Sequence, residues 1–160
     1  MNKAYLLTGG NTGDRKHYLK QAIDLIEESC GKIRKQSALY ETEAWGKNDQ
    51  PPFLNQALLL HTSMNASELM QQLLAVEEKM GRRRGEKYGP RIIDIDVLLF
   101  NDAILESSII TVPHPELANR RFALTPLAEI AADIIHPLLK KSISELLKVC
   151  PDQLAVRIIS

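Results

Sequence analysis

A chain of 160 residues with 44% hydrophobic side chains suits one compact domain with its own core and is short for two. Twenty basic and twenty acidic side chains cancel, so overall charge gives no support to a nucleic-acid or membrane-surface role. The apolar run at the N terminus is too short for a signal peptide and no later one reaches the length of a membrane span, so a cytoplasmic domain over residues 1–160 is the expectation.

Residues 4–8 form a short apolar run stopped by Gly9 and Gly10, which predicts a first strand. Leu19, Ala22, Ile23 and Ile26 recur at helical spacing through Ser29, with Gly31 placed to close the helix. Cys30 at its end and Cys150 before a proline belong to no CxxC or Cys/His cluster, which predicts two reduced thiols. Residues 32–40 and 53–62 read as strands joined by a long loop that carries Trp45 and the pair Pro51 and Pro52. Asn65 and Glu68 have capping-box spacing ahead of a helix with a stripe of Leu69, Leu73, Val76 and Met80, ended by Gly81.

The segment GRRRGEKYGPR is too charged and glycine-rich for core, and it runs into IIDIDVLLF, a buried strand. After a turn at Asn101 and Asp102 an extended stretch reaches Thr111 and Val112, and two helical patterns follow at 126–132 and 142–149. The order β-α-β-β-α-β predicts an α+β fold of ferredoxin-like type: an antiparallel sheet with two helices on one face, and a helical C-terminal extension.

Alternation along the buried strand puts Ile93, Ile95, Val97 and Leu99 on one face and Asp94 and Asp96 on the other. Two carboxylates so placed have backbones about 6 to 7 Å apart, near enough to converge on a hard cation. A solvated strand face is the competing reading of the same DxD. Its upstream neighbours Arg82, Arg83, Arg84, Lys87 and Arg91 are either a solvated charge run or a phosphate-binding loop matched to a metal held by the acids. His114, between Pro113 and Pro115, suits a positioned phosphate donor, with Arg120 and Arg121 close behind. The loop TGGNTGD lacks the lysine and hydroxyl of a phosphate loop and reads as a strand-to-helix turn. Trp45, Phe53 and Phe122 stand at loop edges, as core residues or as a slot for a flat ligand. Asn55 faces the same side as Phe53, to pair with a heterocycle edge or with local backbone.

Together YETEAWG, QPPFLNQA, GRRRGEKYGPRIIDIDVLLF and TVPHPELANRRF resemble the signature regions of the 6-hydroxymethyl-7,8-dihydropterin pyrophosphokinases of folate biosynthesis. The resemblance implies a ferredoxin-like fold and transfer of the β,γ-diphosphate of ATP to the pterin hydroxymethyl group, with AMP released and two Mg2+ ions bound. It implies that Asp94 and Asp96 hold the ions, that Asp94 also touches the pterin, and that Arg82 and Arg91 act in catalysis. Glu77, Arg84, Tyr88, Val97, Ile110, Thr111, His114 and Arg120 match nucleotide positions, and Thr42, Trp45, Phe53, Asn55 and Phe122 match pterin positions. A monomer with small-molecule partners and neither nucleic acid nor membrane follows. The chain departs from the common pattern in a shorter arginine loop, in Lys87 and Tyr88 where arginine and tryptophan often stand, in Ile109 for an arginine, and in Glu43 and Ala44 for prolines. A nucleotidyl transferase, releasing diphosphate, and an RNA-binding module, whose stacking-strand motif is absent, are the rival readings.

Overall fold

The structure, a computed structural model, describes residues 1–43, 50–82 and 91–159. In chain order these form β1 (Asn2–Gly10), α1 (Arg15–Ser29), β2 (Lys32–Gln36), β3 (Tyr40–Thr42), β4 (Phe53–Thr62) and α2 (Ala66–Lys79). Then come β5 (Asp94–Phe100), β6 (Leu105–Glu106), β7 (Thr111–Val112), a 3-10 turn (Leu117–Asn119), α3 (Arg121–Ala131), α4 (Ile143–Lys148) and β8 (Val156–Ile158). The main sheet is a mostly antiparallel array in the order β5-β1-β4-β3-β8, with β2 also paired to β4. Gly9 near the end of β1 lies opposite Asn55 on one side and Asp94 on the other, so three strand ends meet at one place.

The helices form where the pattern places them, and for local reasons. Asn65 and Glu68 make the reciprocal capping box at α2, at 2.9 and 3.0 Å, and Asp14 accepts the His17 N–H to start α1. Helices α1 and α2 cover one face, where Leu6, Leu58, Ile95 and Val97 meet Leu19, Ile26, Leu69 and Leu73. The C-terminal helices are no appendage. α3 and α4 cover the second face, packing Leu124, Leu127, Ile143 and Leu146 on Tyr5, Leu7, Leu59 and Leu98. With both faces covered, the central strands are apolar on both sides.

Three expectations need correction, and one strand had no counterpart in the sequence pattern. The strand predicted over 32–40 is two strands, because at the buried Ser37 the side chain takes one of the two ladder bonds to Ala57: its main-chain N–H donates to the Ala57 carbonyl, while its Oγ accepts the Ala57 N–H at 2.9 Å and donates to the Ala38 carbonyl. Leu99 does not share a face with Ile95 and Val97. A bulge opposite Tyr5 and Leu6 adds one residue, so Leu98 and Leu99 both turn to the α3/α4 side. Helix α3 begins at Arg121, ahead of Pro126, because Asp152 caps it from the far end of the chain: its carboxylate accepts the Arg121 N–H at 3.0 Å. Strand β8, too short to show a period, pairs with β3. Cys30 and Cys150 are buried free thiols, and no helix among the described residues is long and apolar enough to cross a membrane.

Candidate active site

Where β1, β4 and β5 end, on the α3/α4 side of the sheet, the packing opens into a pocket lined by Leu7, Gly9, Thr42, Glu43, Phe53, Asn55, Arg91, Asp94, Asp96, Arg120 and Phe122. Eight of the side chains singled out from the sequence are among them. Phe53 arrives as the first residue of β4 and Phe122 in the first turn of α3, so Asp152, by capping that helix, also places one pocket wall. The Arg120 guanidinium lies 5.7 Å from the centre of the Phe122 ring.

Asn55 shows why Gly9 stands opposite it. A Cβ on Gly9 would run into the Asn55 amide, which instead donates to the Thr8 carbonyl at 3.2 Å. That bond leaves Asn55 Oδ1 buried without a partner among the described residues, and Thr42 Oγ1 is in the same state. Both residues line the pocket. Buried polar atoms are normally paired, so two orphans in one cavity mark places where a ligand supplies the missing groups.

The acidic end is a charge network. Arg82 Nη1 lies 2.9 Å from Glu77 Oε1 and 3.1 Å from Asp94 Oδ1, while Arg91 Nη1 lies 3.0 Å from Asp94 Oδ2. Burial, then the Asp94 charge, pushes the Asp96 carboxyl up to about 7, against the pull of Arg120 and Arg82. Glu77 is also raised, by burial first and by Asp94, although the Ile95 N–H and Arg82 oppose the shift. At 3% exposure, Glu77 has both oxygens engaged, one by the Ile95 N–H at 2.7 Å and one by Arg82. It therefore orients β5 and Arg82.

His114 is held by its main chain, whose N–H donates to the Leu98 carbonyl at 2.9 Å. Its Nδ1 accepts the Glu116 N–H at 3.1 Å, an assignment from the hydrogen-bond network that puts the ring proton on Nε2. Burial, then Arg120, lowers its pKa against Glu116 and Asp94, which keeps the ring a neutral donor. Val97 and Ile110 lie in the core on the α1/α2 side, and Thr111 is half-buried beside them on β7. Trp45, Arg84, Tyr88 and Lys87 lie outside the described residues.

The comparisons with known proteins bear on this arrangement. Residues 5–132 match the family model described as 7,8-dihydro-6-hydroxymethylpterin-pyrophosphokinase. The chain belongs to this family. It is 42% identical over 145 residues to a 2-amino-4-hydroxy-6-hydroxymethyldihydropteridine pyrophosphokinase of Aquifex aeolicus, covering 91% of this chain and 90% of that one. The enzyme of the same name from Bacillus subtilis is 42% identical over 134 residues, 83% of this chain and 80% of that one. Among solved structures, a wild-type Plasmodium falciparum HPPK-DHPS, in complex with SDX-DHP, superposes with a TM-score of 0.72 at 21% identity. That match covers 92% of this chain and 43% of the longer one, and it establishes likeness of fold. The activity of the family is pyrophosphoryl transfer from ATP to a hydroxymethyl-dihydropterin in folate synthesis, and this chain is an enzyme of that kind. Use of ATP implies a divalent metal.

One buried residue at this junction escaped the sequence reading. Asn11, passed over as part of a turn, is 2% exposed and bonded to both segments that enter the pocket. Its signal was the GGN at a strand end, where a side chain with both donor and acceptor follows two residues without Cβ.

Proposed function

We propose that this pocket takes the pterin between Phe53 and Phe122 and transfers to its hydroxymethyl oxygen the β,γ-diphosphate of ATP, with AMP as the second product. The observation that carries this is the pair of orphaned atoms, Asn55 Oδ1 and Thr42 Oγ1, in a cavity that also holds two aromatic rings and a carboxylate pair. A pterin edge carries N–H donors and a carbonyl, the groups those atoms lack, and its flat ring suits aromatic walls. Trp45 completes this pterin side.

The metal reading fits the residues present. Asp94 and Asp96 share one pocket, and the upward shift of Asp96 by burial and like charge is what a cation would reverse. Among the described residues no group of three His, Cys, Asp or Glu could hold a metal alone. Mg2+ commonly binds one or two carboxylates together with substrate phosphates, so this set suits ions that arrive with the nucleotide. Asp94 and Asp96 would hold two Mg2+ ions, which would supply neutralisation of phosphate charge. Arg82 and Arg91, now on Asp94, are placed to turn toward the diphosphate, with Glu77 holding Arg82 in position. His114 Nε2–H and Arg120 offer further donors to phosphate, with Arg84, Tyr88 and Thr111 serving the rest of the nucleotide; Val97 and Ile110, their side chains closed into the α1/α2 core, meet it through main-chain groups alone. Asp94 also borders the pterin side.

The core order from β1 to β5 is read as ferredoxin-like, within one catalytic domain that works as a cytoplasmic monomer on small molecules, with neither nucleic acid nor membrane as partner. The deciding experiment is product analysis. AMP should form only when ATP, Mg2+ and 6-hydroxymethyl-7,8-dihydropterin are present together. AMP release without the pterin would overturn the substrate, and diphosphate in place of AMP would overturn the reaction type.

A further inference from the structure

Among the described residues, the Asn11 side chain bonds to both segments that enter the pocket. Asn11 follows β1, where the β1–β5 ladder has run out past the Gly9–Asp94 pair. It continues that ladder by other means. Its main-chain N–H donates to the Arg91 carbonyl and its Oδ1 accepts the Arg91 N–H, both at 3.0 Å. The other end of the same amide, Nδ2, donates to Gln50 Oε1 and to the Pro51 carbonyl, each at 3.0 Å. Gly10 permits the approach, because a Cβ there would collide with the Ile92 carbonyl.

Each partner leads directly to a pocket wall. The Arg91 guanidinium is on Asp94, and Pro51 stands two residues before Phe53. We propose that Asn11 is a positioning residue for the transfer: its amide fixes the Arg91 main chain and the chain entering Phe53 to one point. A single rigid group thereby ties the chain carrying the catalytic arginine to the chain entering the pterin wall, beyond the ends of the β1 pairings and beside the Arg15–Pro52 bond. This rests on the proposed reaction and adds to it a residue that touches neither substrate. Asparagine suits the role because the two sides need opposite groups, an acceptor toward the Arg91 N–H and a donor toward the Pro51 carbonyl, about 2 Å apart on one planar amide. A misplacement near 1 Å can cost about 100-fold in rate, so the bonds need break nothing in the fold to matter.

The test is a double-mutant cycle between Asn11→Ala and Arg91→Ala, read in single turnovers of the full chain with ATP, Mg2+ and the pterin. Wild-type turnover that depends on pterin comes first; its failure would remove the reaction assignment and not this one. With pterin saturating, Asn11→Ala should lower the transfer rate about 100-fold in the wild-type background and less than about 3-fold in the Arg91→Ala background, because its effect on the transfer step passes through the Arg91 side chain while its hold on Pro51 acts on pterin KM. Equal loss in both backgrounds would overturn the proposal, as would a rate within about 3-fold of wild type. Leu146→Ala, on the buried side of α4, supplies the control for lost stability. A similar rate loss in that variant at matched thermal midpoint would overturn it too. If Asn11→Ala does not fold, Asn11→Asp decides, since it keeps the acceptor for Arg91 and loses the donor for Pro51. Retained kcat with a raised pterin KM supports the role, and any other result overturns it.

Discussion

The two faces of the sheet are built from the same strands and do different work. On the α1/α2 face the packing is closed: Leu6, Leu58, Leu60, Ile95 and Val97 are at most 3% exposed beneath Leu69 and Leu73. On the α3/α4 face the same strands carry Leu7, Gly9, Asn55, Asp94 and Asp96, and the packing opens into a polar cavity at one end. One face is optimised for burial. The other keeps unpaired polar atoms and a carboxyl shifted up to about 7, features that cost stability and are retained where a ligand completes them.

Substitutions on the two faces should therefore separate activity from stability. The largest effect is expected at Asp96: Asp96→Ala should reduce pterin-dependent AMP release by about 1,000-fold or more, since it removes half of the proposed metal-binding pair. Its thermal midpoint should not fall, because burial of a like-charged carboxylate is relieved; near-normal turnover would remove the metal role. Arg82→Ala comes next, with kcat reduced about 100- to 1,000-fold and substrate affinity changed far less, because the contact proposed for it with the diphosphate is made mainly in the transition state. A change confined to KM would contradict this. Asn55→Ala should raise the pterin KM about 10-fold through loss of one hydrogen bond, with the KM for ATP unchanged.

The opposite face gives the converse. Leu73→Ala leaves a cavity under α2 and should lower stability by about 2 to 5 kcal/mol in denaturant titrations, while the folded fraction keeps its kcat. Loss of kcat without loss of stability would mean that the faces are not separable. The smallest effect is in pH. Asp96 is raised in the folded state, so it favours the fold at low pH, and that contribution is lost as pH rises from the ordinary carboxylate range through about 7. Metal-free protein should become less stable across that window, and the slope should flatten in Asp96→Ala or when Mg2+ and nucleotide are added. An identical slope in the variant would assign the titration to another group.

Much of this was legible in the chain itself. The stripe of α2, its capping box at Asn65 and Glu68, and the facing of Asp94 and Asp96 follow from local periods of 3.6 and 2, which no partner is needed to define. The motif resemblance reached the family and singled out Phe53, Asn55, Phe122, Arg91 and Arg120 for separate pterin, catalytic and nucleotide roles; the structure brings them into one pocket. What local pattern does not carry is pairing. The bulge that turns Leu98 and Leu99 to the same side depends on the register with β1, and the start of α3 depends on Asp152, 31 residues away in the chain. The roles of Glu77 and Asn11 are likewise made by contacts across the fold: one carboxylate shared by Ile95 and Arg82, one amide shared by Arg91 and Pro51. Residue type and spacing determined which groups the enzyme has. Only the tertiary structure decided which of them meet, because a hydrogen bond between distant residues is specified by where both ends of the chain come to rest.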